Sequence, residues 1–453
     1  MAVRPAWRAE AGATLALAWP IVLTNLSQMV MALTEALLLG QAGTDSLAAG
    51  ILGSSLHFAL IAPGFGLALA AAPLLALARG EGRRPGAAGR GWVREMRRGA
   101  RAALWACAIA AIPSCIALWH AGALLVALGQ DPALAAAAQD YTRAALWGLP
   151  AFCAFFVLRG FLAAMERPQA AMWISLAAVV MNIPIAWALI FPAGLGITGA
   201  GIAATIADTG IFVALLLVVM RDRVFRRFHL FGRIWRPDLQ RLGRVFALGL
   251  PIAGSLLLEI GLFTAAALAM GWVGAVAVAA HAAAVQTASI TFMVPMGIGQ
   301  ATTARVGLAL GAGDRAGAAR AGWVAIGLGA GFMAAMTVVL VTGAHGIAWL
   351  FIDPADPRAP EVRALAAQLL MMAGLFQLAD GLQVVAAGAL RGLADTRVPM
   401  LFAAFGYWAL AFPAGLALGF WAGLGPVGIW AGLAIGLAAV AALMTARWRR
   451  LSR

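Results

Sequence analysis

The chain has 453 residues, of which 63% are hydrophobic and 11% are charged, and its mean hydropathy is +0.91. This composition excludes an ordinary water-soluble domain and indicates an integral membrane protein. The formal net charge of +14 comes from arginine alone among the basic residues, since the chain has no lysine.

Long apolar stretches follow one another along the whole chain, and each is long enough to cross the hydrocarbon core as a helix. They are continuous and do not alternate with polar residues, which excludes an outer-membrane barrel. We therefore predict an all-α integral membrane protein with twelve transmembrane helices. The predicted helices lie at about 11–39, 47–78, 101–119, 133–158, 170–191, 195–220, 244–271, 276–304, 321–344, 362–390, 398–420 and 424–446.

The first apolar run follows the basic segment MAVRPAWRAE but is too long for the core of a signal peptide. It also contains Asn25, Gln28 and Glu35, which share one helical face because they are spaced by three and seven residues. We expect it to remain attached as the first helix.

Most arginines lie on one side of the twelve-helix serpentine. The positive-inside rule therefore places both termini and the long central loop in the cytoplasm. This topology also accounts for the net charge without nucleic acid, since anionic lipid headgroups attract such residues. Twenty-nine of the 32 arginines lie in the N-terminus, 79–101, Arg159 and Arg167, 221–244, 305–320, Arg391 and Arg397, and the tail after 446.

The sequence contains an internal duplication. RRPGAAGRGW at 83–92 resembles DRAGAARAGW at 314–323, and LALAWPI at 15–21 resembles FALGLPI at 246–252 with the same offset along the chain. Each half has six helices, an even number, so the halves are parallel repeats.

The duplication predicts the domain organisation. We expect an N-terminal six-helix lobe at 1–220, a cytoplasmic arginine-rich linker at 221–243 and a C-terminal six-helix lobe at 244–453. Two similar lobes around a central cleft favour alternating access.

Four acidic residues lie well inside predicted helices: Glu35, Asp208, Glu259 and Asp380. Each costs about 2.5–3.5 kcal/mol at the centre of an inserted helix. One interpretation is that they are protonated and donate hydrogen bonds between helices. The other interpretation is that they bind a transported ion. The presence of four such residues in one chain favours this second interpretation.

Further polar residues accompany these acids. Gln377 and Gln383 share one face with Asp380, which is suited to coordinating an ion. Asn182, beside a proline, either lines the cleft or caps a kink. His281 either forms a hydrogen bond between helices or relays protons, and Gln286 follows it on the same helix.

Signatures of enzymes are missing from the sequence. The five histidines have no metal-ligand spacing, and no glycine-rich phosphate loop interrupts the helices. We therefore expect no catalytic residues, no cofactor and no ATP hydrolysis in this chain, and we expect transport to be coupled to a gradient of Na⁺ or H⁺.

Several motifs resemble the multidrug and toxic compound extrusion (MATE) transporters, in particular their NorM-like branch. They are LEIGLFTAAAL around Glu259, AAHAAAVQ at 279–286, FMVPMGIGQATTARVG at 292–307 and DGLQVVAAGALRG at 380–392. The resemblance covers nearly the whole chain. It implies two six-helix bundles around a V-shaped central cleft, and export of cationic or amphipathic drugs and dyes in exchange for Na⁺ or H⁺.

The resemblance also implies roles for individual residues. Glu259 and Asp380 match the acids that bind the coupling cation, and the NorM-like match favours Na⁺ there. Glu35 stands where the family usually has an aspartate. Asp208 matches no family acid and is a possible additional acid, and Gln286 stands where an asparagine is usual. We expect a monomer in contact with membrane lipid.

Other transport functions are weaker interpretations. A lipid-linked precursor flippase of the same superfamily typically presents a cationic cleft for pyrophosphate, whereas the membrane interior here is acidic, with Arg143 and Arg363 as its nearest basic groups. A channel or a membrane-embedded enzyme is a further alternative, and steady uncoupled ion current would favour the channel.

Overall fold

The computed structural model describes residues 3–84, 91–232, 234–352 and 357–453. Every regular element within these ranges is a helix. Most of the duplicated motif at 83–92, and Arg233 of the arginine-rich linker, lie outside the described residues.

Twelve helices in the described ranges are long and apolar enough to cross a membrane, which confirms the predicted number and fold class. Many large apolar side chains point outward, for example Trp421 at 91% exposure, as expected where lipid is the solvent. The helices are α1 Ala6–Ala42, α2 Thr44–Glu81, α3 Gly91–Trp119, α4 Pro132–Ala164, α5 Gln169–Ile190, α6 Gly196–Arg221, α7 Leu239–Val273, α8 Ala275–Gly311, α9 Arg315–Phe351, α10 Ala359–Gly392, α11 Arg397–Trp421 and α12 Gly425–Leu451.

Local features mark the start of α4 and the middle of α11. The Asp131 carboxylate accepts hydrogen bonds from the amides of Ala133 and Leu134 at 2.9 and 3.0 Å, which caps α4 before its N-terminal proline. Two π-helical stretches, Phe405–Ala411 and Ala417–Trp421, interrupt α11. Such stretches occur frequently at functional sites.

The backbone repeats the duplication seen in the sequence. Gly43 separates α1 from α2 with a φ of 134°, and its counterpart in the second repeat, Gly274, separates α7 from α8 with a φ of 139°. The GLG motifs at 194–196 and 423–425 both have positive φ at each glycine. These left-handed conformations favour glycine, so the turns explain why it recurs at matching places.

The chain folds as two compact units. Unit 1 comprises Met1–Val22, Ser255–Leu310 and Asp314–Arg453, and unit 2 comprises Leu23–Gly254 and Gly311–Gly313. The first helix of each repeat, α1 or α7, therefore contributes one half to each unit. The division into lobes at 1–220 and 244–453 stays a prediction.

In unit 1, an ion pair holds the first half of α1. The guanidinium of Arg305 on α8 donates to both carboxylate oxygens of Glu10, at 2.9 and 2.8 Å. Both side chains are largely buried, so the pair is screened from water. At the end of this segment, α8 approaches α1 closely at Gly297, where a Cβ would lie 2.5 Å from Val22.

In unit 2, an ion-pair network holds the first half of α7. Arg241 donates to the Glu95 carboxylate of α3 at 2.6 Å and to Asp238 at 2.5 Å, and Arg98 lies 2.7 Å from Asp238. Glu10 and Arg241 are separated by the offset of the duplication, so they occupy equivalent places in the two repeats with opposite charge. Each repeat thus anchors its first helix through the same position.

Glu10→Gln should lower the thermal stability of the purified protein, because it keeps the shape of the side chain but removes the charge that faces Arg305. Glu10 is 11% exposed and Arg305 18%, so we expect a loss of about 1–3 kcal/mol. Thermal melting of the purified protein in detergent measures this loss of stability. Glu81→Gln is the matched control, because it removes the charge of an exposed glutamate. Equal midpoints for the parent and Glu10→Gln would contradict this contribution.

The network in unit 2 should make stability depend on pH. Partial burial alone would raise the pKa of Asp238, but its hydrogen bonds to Arg241 and the charges of Arg241 and Arg98 lower that pKa below the ordinary value. A carboxyl whose pKa is lowered on folding stabilises the fold above its unfolded pKa of about 3.9 and loses that effect as pH falls through the folded pKa.

Asp238→Asn should therefore melt at a lower temperature than the parent at pH 7, and the difference should disappear in strong acid, below the folded pKa. Melting curves of both proteins across this pH range provide the measurement. A difference that stays constant down to the most acidic pH would show that the charge of Asp238 is not the cause.

Candidate functional site

One face of α10 carries the three polar residues that the sequence groups together. Gln377, Asp380 and Gln383 are 1%, 6% and 5% exposed. Each keeps one buried atom without a hydrogen-bond partner among the described residues: Gln377 Nε2, Asp380 Oδ1 and Gln383 Oε1. Unpaired buried polar atoms are costly in a protein interior, so this face is suited to a ligand that completes it.

Neighbouring helices fix the two amides on either side of Asp380. The hydroxyl of Thr291 on α8 donates to Gln377 Oε1 at 2.8 Å. The amide of Gln383 donates to the hydroxyl of Tyr407, which lies in the first π-helical stretch of α11. These bonds orient the amides, and the carbonyl oxygen of Gln383 remains available as an acceptor.

Glu259 on α7 belongs to the same cluster in unit 1. Its carboxylate interacts electrostatically with Asp380, with Tyr407 and with Arg391 at the end of α10. Glu259 is half-buried and Asp380 is buried, and two such carboxylates repel when both are charged, so a positive charge bound to them lowers the energy.

The cluster presents oxygen atoms as possible ligands, from two carboxylates, an amide and a phenol. Hard cations prefer such ligands, and a proton is held by the carboxylates alone. No group of three or more His, Cys, Asp or Glu that could hold a metal ion occurs among the residues that the structure describes. The predicted Na⁺ at Glu259 and Asp380 would be a transported ion bound by these oxygens.

Unit 2 contains a second acidic cluster, around Glu35 on α1. The side chain of Glu35 forms a hydrogen bond with that of Tyr141 on α4, while Glu35 Oε1 is buried without a partner in the described ranges. Asp208 on α6 interacts electrostatically with both residues and lies against Gly148, where a Cβ would be 3.2 Å from Asp208 Oδ2. Asp208, which matched no family acid, therefore accompanies Glu35.

Sequence reasoning missed the two tyrosines of these clusters. The chain has only two tyrosines, Tyr141 and Tyr407, and they are 4% and 1% exposed. Tyr141 interacts with the acidic cluster of unit 2, and Tyr407 interacts with the acidic cluster of unit 1. The rarity of tyrosine in a chain so rich in other apolar residues was the signal that could have identified them.

The polar residues of α1 and α5 are also buried in unit 2. Asn25 is 4% exposed and Asn182 6%, and the amide nitrogens of Asn25 and Gln28 are buried without a partner in the part of the chain that the structure describes. Arg159, which the sequence groups with the cytoplasmic loops, is instead 4% exposed inside α4 and donates to Asn25 Oδ1 at 2.8 Å. Its guanidinium lies 4.3 Å from the centre of the Phe156 ring, which compensates part of its desolvation.

His281 on α8 forms the hydrogen bond between helices that the sequence left as one of two interpretations. Its Nδ1 accepts from the indole of Trp430 on α12 at 3.1 Å, and it is 5% exposed. Gln286, further along α8, is half-buried. The structure thus gives His281 a packing partner and leaves Gln286 accessible.

Comparison with known proteins gives one consistent result. The family model MatE matches residues 20–188 and 251–416, two segments whose starting points are separated by the offset of the duplication. A probable multidrug resistance protein NorM of Mesorhizobium japonicum is 48% identical over 99% of this chain and 95% of its own length. Another of that name from Brucella suis is 43% identical over 98% of this chain and 94% of its own.

Solved structures show the same fold. A eukaryotic MATE transporter superposes with a TM-score of 0.88 at 19% identity, covering 99% of this chain and 98% of its own. The Vibrio cholerae MATE transporter VcmN in its bent form superposes with a TM-score of 0.85 at 20% identity, covering 99% and 98%.

Proposed function

Because this chain belongs to the MatE family, we propose that it is a multidrug efflux antiporter that exports cationic and amphipathic compounds in exchange for Na⁺ or H⁺. Membership confirms the resemblance inferred from the sequence, and it places the chain among transporters, so the prediction that it is not an enzyme is also confirmed. We place this multi-pass protein in the bacterial inner membrane as a monomer with both termini in the cytoplasm.

The observation that carries the proposal is the pairing of Glu259 with Asp380, whose Oδ1 has no partner among the described residues in a buried setting. Like charges repel more strongly where the protein excludes water than they do in solution. A bound Na⁺ or a proton removes that repulsion, so the ionised pair strongly favours the uptake of one positive charge.

The same pair gives a reason for exchange. Without a bound ion, the carboxylates attract a cationic substrate; once they are neutralised by Na⁺ or H⁺, that attraction is lost and the substrate leaves. The ion-loaded carrier then exposes the site to the other side of the membrane, where the ion departs. Transport thus follows from competition between two cations for one set of oxygen atoms.

We propose that the remaining polar residues contact the exported compound and bind it less selectively than the carboxylates bind the ion. A mostly apolar binding surface with a few amide and imidazole groups responds to the size and charge of a compound, so it accepts a broad range of compounds. The residues we assign to this role are Asn25, Gln28, Asn182, His281, Gln286, Gln377 and Gln383.

The membrane potential drives the exchange when the exported compound is neutral, whereas exchange of one monovalent cation for another moves no net charge and is driven by the concentration gradient of the ion. One elementary charge that moves down about 100 mV releases about 2.3 kcal/mol. For one-to-one exchange against a neutral compound, this sustains a concentration ratio of a little under about fiftyfold. A second ion bound at the cluster of Glu35 would extend that ratio.

Glu259→Gln and Asp380→Asn should each lower the initial rate of ethidium efflux from cells at least about tenfold, because the amide keeps the shape of the side chain but has no negative charge to attract a cation and does not take up a proton. Glu361→Gln on the first turn of α10 is the matched control, since that carboxylate is exposed on the same helix. If both site variants are inserted at parental levels and still export at the parental rate, the assigned roles are wrong.

Glu35→Gln should weaken efflux less than either change in unit 1, about two- to fivefold, because the acids of unit 1 remain. The measurement is the same dye efflux at matched expression, and Tyr141→Phe provides a comparison that removes only the hydroxyl beside Glu35. A parental rate in Glu35→Gln would remove this residue from the transport site.

A further inference from the structure

Unit 1 has a cavity whose lining residues are remote in sequence from the acids of α7 and α10. Its volume is about 550 Å³, and it lies where α1 and α9 begin and α12 ends. The polar and aromatic side chains that line it are Trp7, Arg315, Arg320, Trp323, Ser452 and Arg453. No role in the proposed transport cycle uses any of them.

The charged side chains that line this cavity are all positive. Arg315, Arg320 and Arg453 form no ion pair or side-chain hydrogen bond within the parts of the chain that the structure describes, and Arg320 Nε is buried without a partner there. Guanidinium groups in this state present several donors with no acceptor, and phosphate oxygens match their geometry.

Three acidic side chains on or beside the helices that form the cavity are already engaged. Asp314 caps α9 by accepting from the amide of Gly317 at 2.7 Å, Glu10 pairs with Arg305, and Asp395 pairs with Arg447. An anion in the cavity would therefore be held by the guanidiniums, because the helix start is occupied by the protein's own carboxylate.

The aromatic residues indicate how the cavity lies with respect to the membrane. Trp7 is 41% exposed near the start of α1, and Trp323 lies two turns into α9. Tryptophan is enriched at the level of the lipid headgroups, where its ring contacts acyl chains and its N–H reaches polar groups. The arginine pattern places this end of the helices at the cytoplasmic leaflet, which carries the anionic lipids.

We infer that this cavity binds the headgroup of an anionic phospholipid, with the phosphodiester on Arg315, Arg320 and Arg453 and the glycerol backbone against the two tryptophans. A zwitterionic lipid is disfavoured because its ammonium group would face three guanidiniums. A lipid bound here ties the first half of α1 to α9 and α12 within unit 1, in addition to the ion pair of Glu10. This inference does not depend on the identity of the exported compound.

The test is calorimetric titration of the full-length protein in detergent with dihexanoyl phosphatidylglycerol below its micelle concentration. The parent should bind one equivalent saturably, and Arg315→Gln/Arg320→Gln should bind at least about tenfold more weakly, since two charge-assisted contacts are lost. Arg449→Gln/Arg450→Gln is the matched control. It removes the same charge from exposed residues in the last turn of α12 that do not line the cavity.

Parallel titrations with dihexanoyl phosphatidylcholine and inorganic phosphate identify the source of the bound phosphate. Preference for phosphatidylglycerol over both supports the lipid site. Equal binding of inorganic phosphate would assign the cavity to a soluble anion and overturn the lipid inference, as would equal binding of phosphatidylcholine. An equal loss of affinity in Arg449→Gln/Arg450→Gln would show a general surface charge effect and also overturn it.

Discussion

The proposed transport depends most on the electrostatic interaction of two carboxylates that lie on apolar helices. Glu259 and Asp380 interact in unit 1, and Asp380 Oδ1 has no hydrogen-bond partner within the described ranges. In water such a pair would be screened at little cost, whereas inside a membrane protein it favours the arrival of a positive charge. Gln377 and Gln383 are fixed by Thr291 and Tyr407, so the site is oriented before any ion binds.

The two units repeat this chemistry with different residues. Unit 2 brings Glu35 and Asp208 together beside Tyr141, as unit 1 brings Glu259 and Asp380 together beside Tyr407. Ion pairs with arginine also anchor the first helix of each repeat: Glu10 pairs with Arg305 in unit 1, and Arg241 pairs with Glu95 in unit 2. The duplication has preserved the turns and the position shared by Glu10 and Arg241, whose charges are opposite, whereas the two acidic clusters do not stand at equivalent positions of the repeats.

The sequence predicts the fold well because membrane helices are specified by long apolar runs, and the spacing of Gln377 and Gln383 about Asp380 identifies their shared face. It fails where contacts join distant helices. Tyr141 and the buried position of Arg159 depend on which helices pack together, which hydropathy does not encode. The division of α1 and α7 between the two compact units likewise depends on which helix segments pack together.

The central claim is that one set of carboxylates binds either the coupling ion or the exported cation. Equilibrium binding of radiolabelled tetraphenylphosphonium to the purified protein tests it directly, with Na⁺ added at constant pH and, separately, with pH lowered in the absence of Na⁺. We predict that at least one of these ions raises the apparent Kd of the labelled cation linearly with its own concentration. If binding of the labelled cation is the same at saturating Na⁺ and at low pH as in their absence, the two cations do not compete for these carboxylates.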